Sequence, residues 1–415
     1  MPKGYANGVL AKGRMLFVAG QIGWTPEGRF ETDDFVGQFA QALDNVLDVV
    51  RAAGGKPTDV VRMTVYVTDL DAYRESLYRL TERSRSIMQP LFSRVRSHAQ
   101  KLRLAFADGH HPQVLRAAQI CVDDGICAPV LIGSRQRIEK AARELLVDIA
   151  AMEIEEPANS ERHDELADAL WERRRRKGMT SGAARTMIRQ STWYALMLLK
   201  QGHVDGMVGG VRRPYKETIG PAIRVLGLRE DRKVVSGVYA MLFRDRRIFF
   251  GDCTVNVEPD ADTLAEIAIN TARAAETFGE IPRVAMLSYS DFGEHYTDRK
   301  VVAVRDAINI VRQRWPSLQI DGEMQADTAI DADKMENNFP FCSLNGPANV
   351  LVFPDLTSGN IAYKLLVKLT DAEALGPLVT GLGGPVGTIP LGASVTEIVN
   401  IATYTVVQAL KRRAV

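Results

Sequence analysis

The sequence has few cysteines and lacks long apolar runs, which argues against a disulfide-rich secreted protein and against a membrane protein. Its 415 residues include four cysteines, which are Cys121, Cys127, Cys253 and Cys342. Because they lack C-x-x-C spacing and the density of a disulfide scaffold, we expect a reducing compartment. No uncharged apolar run is long enough to span a bilayer, and the first residues lack the apolar core of a secretory signal. We therefore expect a cytoplasmic protein that has no membrane partner.

The sequence also lacks an excess of charge of either sign. It has 52 lysines and arginines against 51 aspartates and glutamates, so we expect no overall attraction to nucleic acid. The basic run at 173–177 has no aromatic stacking platform beside it, which further disfavours nucleic acid as a partner. The adjacent His110 and His111 have no accompanying cysteine, histidine or carboxylate at ligand spacing. We therefore expect no metal site, and a loop position for the two histidines.

A chain of this length predicts two or three domains, and its first part predicts a small α/β unit. Apolar residues over 14–22 and alternating residues over 60–67 predict two strands. An apolar stripe at helical spacing predicts a helix over 35–53, and a second helix is predicted from residue 69. These elements form the first predicted unit.

The residues after this unit predict a larger α/β region. A charged, helical connector is expected over 81–103, with a break at Pro90. From residue 103 to the end of the sequence, strand patterns alternate with helix patterns. Such alternation predicts an α/β fold with parallel sheets.

Three polar turns follow apolar strands in this larger region. They are 288–294 (SYSDFGE), 321–327 (DGEMQAD) and 354–360 (PDLTSGN). The last follows the apolar NVLVF, which predicts a buried strand, and leads into a helix that its small polar residues can cap. If the strands are neighbours, hydroxyls, carboxylates and helix N-termini meet at one cleft, which favours a phosphorylated ligand. The alternative is that Asp321, Glu323 and Asp327 only cap helices.

The first unit resembles a known family. The stretches GRMLFVAGQIGW, AQALDNVLDVVRAAGG and DVVRMTVYVTDLDAY are similar to the start of the reactive intermediate deaminases, the RidA group, over about residues 1–80. The family's Pro-Ala-Arg-Thr segment, whose arginine binds the substrate carboxylate, and its late glutamate have no counterpart after Leu80. The resemblance implies a truncated, catalytically silent segment. Its shortened sheet would leave a strand edge for pairing with another chain or with the next domain.

The remaining sequence resembles the phosphate acetyl- and butyryltransferases over about residues 84–415. The resemblance rests on VLRAAQICVDDGICAPVLIG, KGMTSGAARTMIRQSTWYALMLLKQGHVDGMVGG, VAMLSYS, DGEMQADTAI and ANVLVFPDLTSGNIAYKLL. It implies a two-lobed, isocitrate dehydrogenase-like architecture with parallel sheets, after the connector at 81–103. Lobe 1 would comprise 104–228 plus 376–415, and lobe 2 would comprise 229–375. It also implies transfer of an acyl group between orthophosphate and coenzyme A, with no metal and no tightly bound cofactor.

Acyl transfer needs a base for the thiol proton, cations for the phosphate and a donor for the developing oxyanion. By the resemblance, Arg174 matches a cleft arginine and Glu397 stands at the position of a family aspartate. Four other polar positions of the family are occupied by residues without the same chemistry: Gln113, Gly220, Pro390 and Leu391. Substrate contacts are expected from polar residues of the three turns and the helix after them: Ser288, Ser290, Asp321, Glu323, Asp355, Gly359, Asn360 and Lys364.

Three functional hypotheses remain open. The first is acyl transfer, although each missing charged donor costs about 3–5 kcal/mol of barrier. The second is binding of an acyl-CoA or acyl phosphate without turnover, because DGEMQAD and SYSDFGE resemble the transferase-like domain of large bacterial malic enzymes. That domain is thought to sense acetyl-CoA and to build a homo-oligomer, and the malic catalytic half is absent here. The third is a scaffold for homo-oligomer contacts.

Overall fold

The structure is a computed structural model that describes residues 15–32, 35–60, 63–67, 83–243 and 246–413. It forms two compact units, Met1–Glu82 and Arg83–Val415. The described part of the first unit contains the helix α1 (Phe35–Ala52) and one turn of 3-10 helix, Pro57–Asp59. The helix predicted over 35–53 is therefore confirmed.

The prediction of two strands in the first unit is wrong for the residues that the structure describes. Residues 15–22 and 63–67 have extended-type sequences but form no strand pairs. An alternating pattern suits a strand, yet a strand persists only beside a partner that bonds its backbone groups. Phe17 is consequently 85% exposed and Tyr66 is 93% exposed. The helix predicted from residue 69 lies outside the described residues.

The second unit alternates helices and strands. In chain order they are α2 (Arg83–Arg96), β1 (Arg103–Phe106), α3 (Pro112–Asp123), β2 (Ala128–Ile132), α4 (Arg135–Leu145), β3 (Glu153–Glu155), α5 (His163–Arg174), α6 (Ser181–Ile188), α7 (Ser191–Lys200), β4 (Gly206–Gly209), α8 (Lys216–Leu226), β5 (Ser236–Leu242), β6 (Arg247–Gly251), α9 (Ala261–Thr277), β7 (Arg283–Leu287), α10 (Arg299–Arg314), β8 (Gln319–Met324), α11 (Ala326–Ile330), α12 (Ala332–Asn338), β9 (Val350–Val352), α13 (Leu356–Leu369), β10 (Glu373–Thr380), β11 (Val386–Thr388) and α14 (Val395–Arg413).

These strands form two sheets, each the centre of a lobe. The lobe 1 sheet is parallel throughout, in the order β11, β4, β1, β2, β3. The lobe 2 sheet has the order β10, β5, β6, β9, β7, β8. The strands β6, β9, β7 and β8 are parallel to one another, whereas β5 is antiparallel to both β10 and β6. The predicted α/β fold with parallel sheets is therefore confirmed. The antiparallel pairing of β5 with β10 and β6 was not predicted.

The helix α2 runs through Pro90, so the predicted break at this residue does not occur. Its side chains Ile87, Met88 and Leu91 are buried in the core of the second unit. The free energy gained by burying these side chains offsets the cost of the backbone hydrogen bond that a proline removes from a helix.

The last helix joins the two lobes. α14 packs against α3, β4 and β11 of lobe 1 and against β10 of lobe 2. The ring of Tyr404 stacks on that of Phe278 with centroids 5.7 Å apart, and Gln408 Nε2 donates to the Val379 carbonyl at 2.9 Å. Although α14 has 19 residues, neither it nor any other described helix is long and apolar enough to cross a membrane.

Candidate functional site

The strands before the three polar turns of lobe 2 are neighbours. β9, β7 and β8 are adjacent and parallel, so their carboxyl ends meet at one edge of the sheet. Two turns have the predicted positions, since 288–294 follows β7 and 354–360 follows β9. The third prediction is wrong for Asp321 and Glu323, which lie within β8. The polar residues of this strand favour a turn in the sequence because the groups that bond to their buried carboxylates lie far away along the chain.

Glu323 holds the turn after β7 in place. Its side chain is 0% exposed, and its Oε1 accepts hydrogen bonds from Ser290 Oγ at 3.1 Å and from the Gly293 backbone at 2.7 Å. Its Oε2 lies 3.1 Å from Arg305 Nε in an ion pair. Ser288 Oγ accepts a hydrogen bond from the Ser290 backbone at 3.3 Å. The structure thus brings Ser288, Ser290 and Glu323 together, and a direct substrate contact by any of them stays a prediction.

Asp321 joins β8 to two other segments. Its Oδ1 lies 2.9 Å from Arg312 Nη2, and its Oδ2 accepts from the backbone and hydroxyl of Ser343 at 2.6 and 2.9 Å. Asp327 lies in the first turn of α11 and pairs with Lys334 Nζ at 2.7 Å. The alternative that these residues are helix caps is therefore wrong for Asp321 and Glu323, because both lie within β8. Asp327 lies inside the first turn of α11, whose N-cap is Gln325.

Asp355 is the N-cap of α13. Its Oδ1 accepts from the Ser358 backbone at 2.9 Å, and its Oδ2 accepts from Lys300 Nζ at 2.9 Å. Burial alone would raise the pKa of Asp355, but the Ser358 hydrogen bonds and the Lys300 ammonium lower the pKa below its usual range. Asp355 is therefore a charged cap that also connects α13 to α10.

The first turn of α13 packs on the loop that follows β6. Asn360 Nδ2 donates to the Cys253 carbonyl at 3.1 Å. A Cβ added to Gly359 would lie 2.8 Å from the Asp252 carbonyl oxygen, so only glycine permits this close approach. Lys364, one turn further, is exposed, with its Nζ 5.9 Å from the ring centroid of Tyr363. Gly359 and Asn360 thus position a loop, whereas Lys364 remains open to solvent.

The carboxyl edges of the two sheets meet at a contact between Tyr215 and Thr254. Thr254, in the loop after β6, donates its Oγ1 hydrogen to the Tyr215 hydroxyl at 3.3 Å. Tyr215 immediately precedes α8, and burial raises its pKa. Asp252 Oδ1 ties this loop to β5, since it accepts from the backbones of Gly237 and Thr254 at 3.0 and 2.9 Å. Turns from the carboxyl edges of both sheets therefore touch at this point.

Lobe 1 places Arg212 beside His110 at the carboxyl edge of its sheet, a pair that the sequence did not predict as a binding site. Arg212, in the turn after β4, donates from Nη1 to His110 Nε2 at 2.8 Å. Asp108 Oδ2 accepts from the Gly210 backbone at 3.2 Å. His110 and His111 lie in the turn between β1 and α3, as expected, and the described residues contain no group of three or more side chains suited to a metal ion. The signal in the sequence is the pair of arginines, Arg212 and Arg213, shortly after the GMVG strand.

The two predicted catalytic residues are not joined by any hydrogen bond or ion pair among the described residues. Arg174 ends α5, is half-buried and has no carboxylate partner in the described part of the chain. Glu397 forms a capping box at the start of α14: its Oε2 accepts from the Ser394 backbone at 2.7 Å, and Ser394 Oγ accepts from the Glu397 backbone at 3.2 Å. Glu397 therefore has a structural role in addition to any role as a base.

Two of the four replaced positions, Leu391 and Gly220, have room for larger side chains. Leu391 is 62% exposed in the turn before α14. A Cβ added to Gly220, in α8, would meet no atom within 4 Å. A larger polar side chain would therefore fit at either position without displacing core atoms.

A family model described as phosphate acetyl/butaryl transferase matches residues 86–406. The chain belongs to this family. Among relatives in the transferase family, the phosphate acetyltransferase of Clostridium acetobutylicum is 38% identical over 316 residues, which cover 74% of this chain and 95% of the relative. That of Thermoanaerobacterium thermosaccharolyticum is 37% identical over 331 residues, which cover 78% and 99%. The predicted membership is confirmed.

Solved structures of the transferase family share the fold. The EutD phosphotransacetylase from Staphylococcus aureus has a TM-score of 0.72 at 32% identity, and the phosphotransacetylase from Streptococcus pyogenes has a TM-score of 0.75 at 32% identity. Each comparison covers 79% of this chain and 99% of the other. The two-lobed architecture predicted from the resemblance is therefore confirmed.

The first unit matches a different family model. The description of this model is endoribonuclease L-PSP, and the match covers residues 2–104. It confirms the RidA-like resemblance and extends beyond the predicted end near residue 80. The finer likeness of the second unit to the transferase-like domain of malic enzymes stays a prediction.

Proposed function

We propose that the chain binds an acyl-CoA or acyl phosphate in the cleft between its lobes, and that it transfers the acyl group between phosphate and coenzyme A slowly or not at all. The observation that carries the proposal is the meeting of the two carboxyl sheet edges at Tyr215 and Thr254, in a member of the transferase family. Ligands of α/β proteins bind at such edges. Coenzyme A is then a substrate or effector rather than a resident cofactor.

The charge distribution supports a phosphorylated ligand. Arg174 is half-buried without a carboxylate partner among the described residues, so its guanidinium is available to an anion. Its neighbours are differently placed: Arg173 donates to the Leu226 carbonyl at 3.3 Å, and Arg175 pairs with Glu172 at 3.0 Å. The predicted cleft role of Arg174, and a surface role for its neighbours, are part of this proposal.

The replaced residues support slow transfer. Proline has no side-chain donor, and leucine cannot bind phosphate, so Pro390 and Leu391 leave the developing oxyanion and the phosphate without two contacts. The capping bond from the Ser394 backbone holds one oxygen of Glu397 at 2.7 Å, so this oxygen already has a structural partner. If the chain transfers no acyl group at all, its function is that of a binding protein that senses acyl-CoA and assembles as a homo-oligomer.

A transfer assay tests the proposal. The full chain is incubated with acetyl phosphate and coenzyme A, and thioester formation is followed for the wild type, Arg174→Ala and the exposed control Arg176→Ala. We expect slow or no turnover, together with a thermal shift on adding acetyl-CoA. At a hundred times its dissociation constant, a ligand adds about 2.7 kcal/mol of stability. Rapid turnover that depends on Arg174 would refute slow transfer, and no shift with any acyl-CoA or acyl phosphate would refute binding.

A further inference from the structure

Three turns at the carboxyl edge of the lobe 1 sheet bring two arginines and a histidine together. Arg212 follows β4, His110 follows β1, and Arg137 lies in the first turn of α4, after β2. Because β4, β1 and β2 are neighbours, these turns lie side by side. Arg212 Nη1 is 2.8 Å from His110 Nε2, and a Cβ on Gly133 would lie 3.7 Å from His110 Nδ1. The imidazole therefore sits between the turns after β4 and β2.

Both arginines keep their full charge available. Among the described residues neither Arg212 nor Arg137 has a carboxylate partner, whereas Arg213 is 3.3 Å from Glu217. Burial lowers the pKa of His110, and the positive charges of Arg137 and Arg212 lower it further, while Asp108 raises it. A neutral imidazole accepts the hydrogen bond from Arg212 and orients this guanidinium without neutralising it.

Two further features of the edge favour an anion. α3 begins here, and its N-cap residue His111 makes no side-chain bond to the helix, whereas the first N–H of α4 donates to Glu156 Oε1 at 3.3 Å. Thr218 is 0% exposed, and its hydroxyl has no hydrogen-bond partner within the described chain. This hydroxyl lies 3.1 Å from the position of a Cβ on Gly210, in the same turn as Arg212. An unpaired buried hydroxyl at this place points to a polar partner that comes from outside the fold.

We propose that Arg212 and Arg137, beside the N-terminus of α3, bind a phosphoryl group of the ligand. The inference rests on the proposed function, because it assigns a phosphate contact to the same cleft. Guanidinium groups bind phosphate oxygens in pairs, and the helix N-terminus adds a favourable dipole. Asp108 makes no ion pair with either arginine among the described residues, and its Oδ2 accepts from the Gly210 backbone at 3.2 Å. The phosphoryl group belongs either to an acyl phosphate or to coenzyme A.

Titration calorimetry on the full chain tests the subsite. The variants are Arg212→Gln and Arg137→Gln, with Arg213→Gln as the matched control, and the probes are acetyl phosphate, acetyl-CoA and acetyl-dephospho-CoA. We expect either test variant to weaken at least one probe about 10- to 100-fold, as for loss of a charged hydrogen bond, while the control stays within about twofold. Arg212→Lys, which keeps the charge, should recover part of the affinity. Unchanged thermal unfolding of the variants will show that they are folded.

Each outcome bears on the inference. A loss for acetyl phosphate alone supports an acyl phosphate at the subsite. A loss for acetyl-CoA that is absent with the dephospho compound supports the 3′-phosphate, and a loss for both coenzyme A compounds supports the diphosphate. Unchanged affinities in Arg212→Gln and Arg137→Gln, with normal wild-type binding, refute the subsite and leave the proposed function intact. No wild-type binding of any probe refutes both.

Discussion

At the scale of single residues, the proposed slow transfer follows from replaced positions that can be restored one by one. Leu391 is exposed, and the surroundings of Gly220 are open, so a polar or charged side chain fits at either place without displacing core atoms. Each donor that is well placed for the transition state contributes about two to three powers of ten in rate. A restored donor should therefore be visible in the transfer rate rather than in stability.

We predict that the double variant Pro390→Ser, Leu391→Arg transfers acetyl groups at least about tenfold faster than the wild type. The serine supplies a hydroxyl donor, and the arginine supplies a cation for the phosphate. The initial rate of thioester formation from acetyl phosphate and coenzyme A measures the effect. The control Pro390→Ser, Leu391→Gln has a polar side chain without the charge and should gain less. An unchanged rate in a variant that still binds acetyl-CoA would contradict the account.

His110 gives a prediction about pH. Burial and the charges of Arg137 and Arg212 outweigh the attraction of Asp108 and lower the pKa of His110 in the folded chain, and burial also lowers the pKa of His111. Below the unfolded pKa, near 6.5, the unfolded chain binds more protons than the folded chain. The contribution of the neutral His110 and His111 to the unfolding free energy is therefore complete above that pH and is lost as the pH falls.

We predict that the unfolding free energy of His110→Gln falls less than that of the wild type between about pH 7 and pH 5. Glutamine keeps a neutral hydrogen-bond acceptor for Arg212 but cannot take up a proton. Denaturant unfolding of both proteins across this range, at one ionic strength, checks the prediction. Identical slopes for the two proteins would show that His110 does not have the lowered pKa.

At the scale of elements, β8 depends on buried carboxylates whose partners come from other elements. Glu323 is held by the turn after β7 and by Arg305 of α10, and Asp321 by Arg312 and Ser343. The sequence around these residues shows polarity but not the distant groups that pair with it. This is why the stretch 321–327 reads as a turn, although β8 continues to Met324. The same reasoning explains the strands predicted at 14–22 and 60–67, whose patterns reveal no pairing partner.

We predict that Glu323→Ala lowers the unfolding free energy by about 3–5 kcal/mol, because it leaves Arg305 without its buried partner. The matched control is Asp327→Ala, which removes an exposed pair with Lys334 in the segment after β8 and should cost about 0–1 kcal/mol. Chemical denaturation of both variants measures the difference. Similar losses in the two variants would contradict the structural role of Glu323.

At the scale of the whole molecule, the chain returns to lobe 1 after building lobe 2. β11 pairs with β4 at the edge of the first sheet, and α14 then packs against both lobes. The alternating strand and helix patterns were enough to predict an α/β fold, and the residues that resemble the transferase family were enough to predict two lobes. The group around His110 and Arg212 was not predictable from one sequence, because the fold brings together residues that are 102 positions apart.

The central claim is that an acyl-CoA or acyl phosphate occupies the cleft between these lobes, and calorimetric titration of the full chain with acetyl-CoA tests it most directly. We predict saturable binding that Arg174→Ala weakens about tenfold or more and that Arg176→Ala leaves unchanged, because the proposal assigns a ligand contact to the half-buried Arg174 and none to the exposed Arg176. Absence of saturable heat with the wild type, or equal affinities in the two variants, would contradict the account.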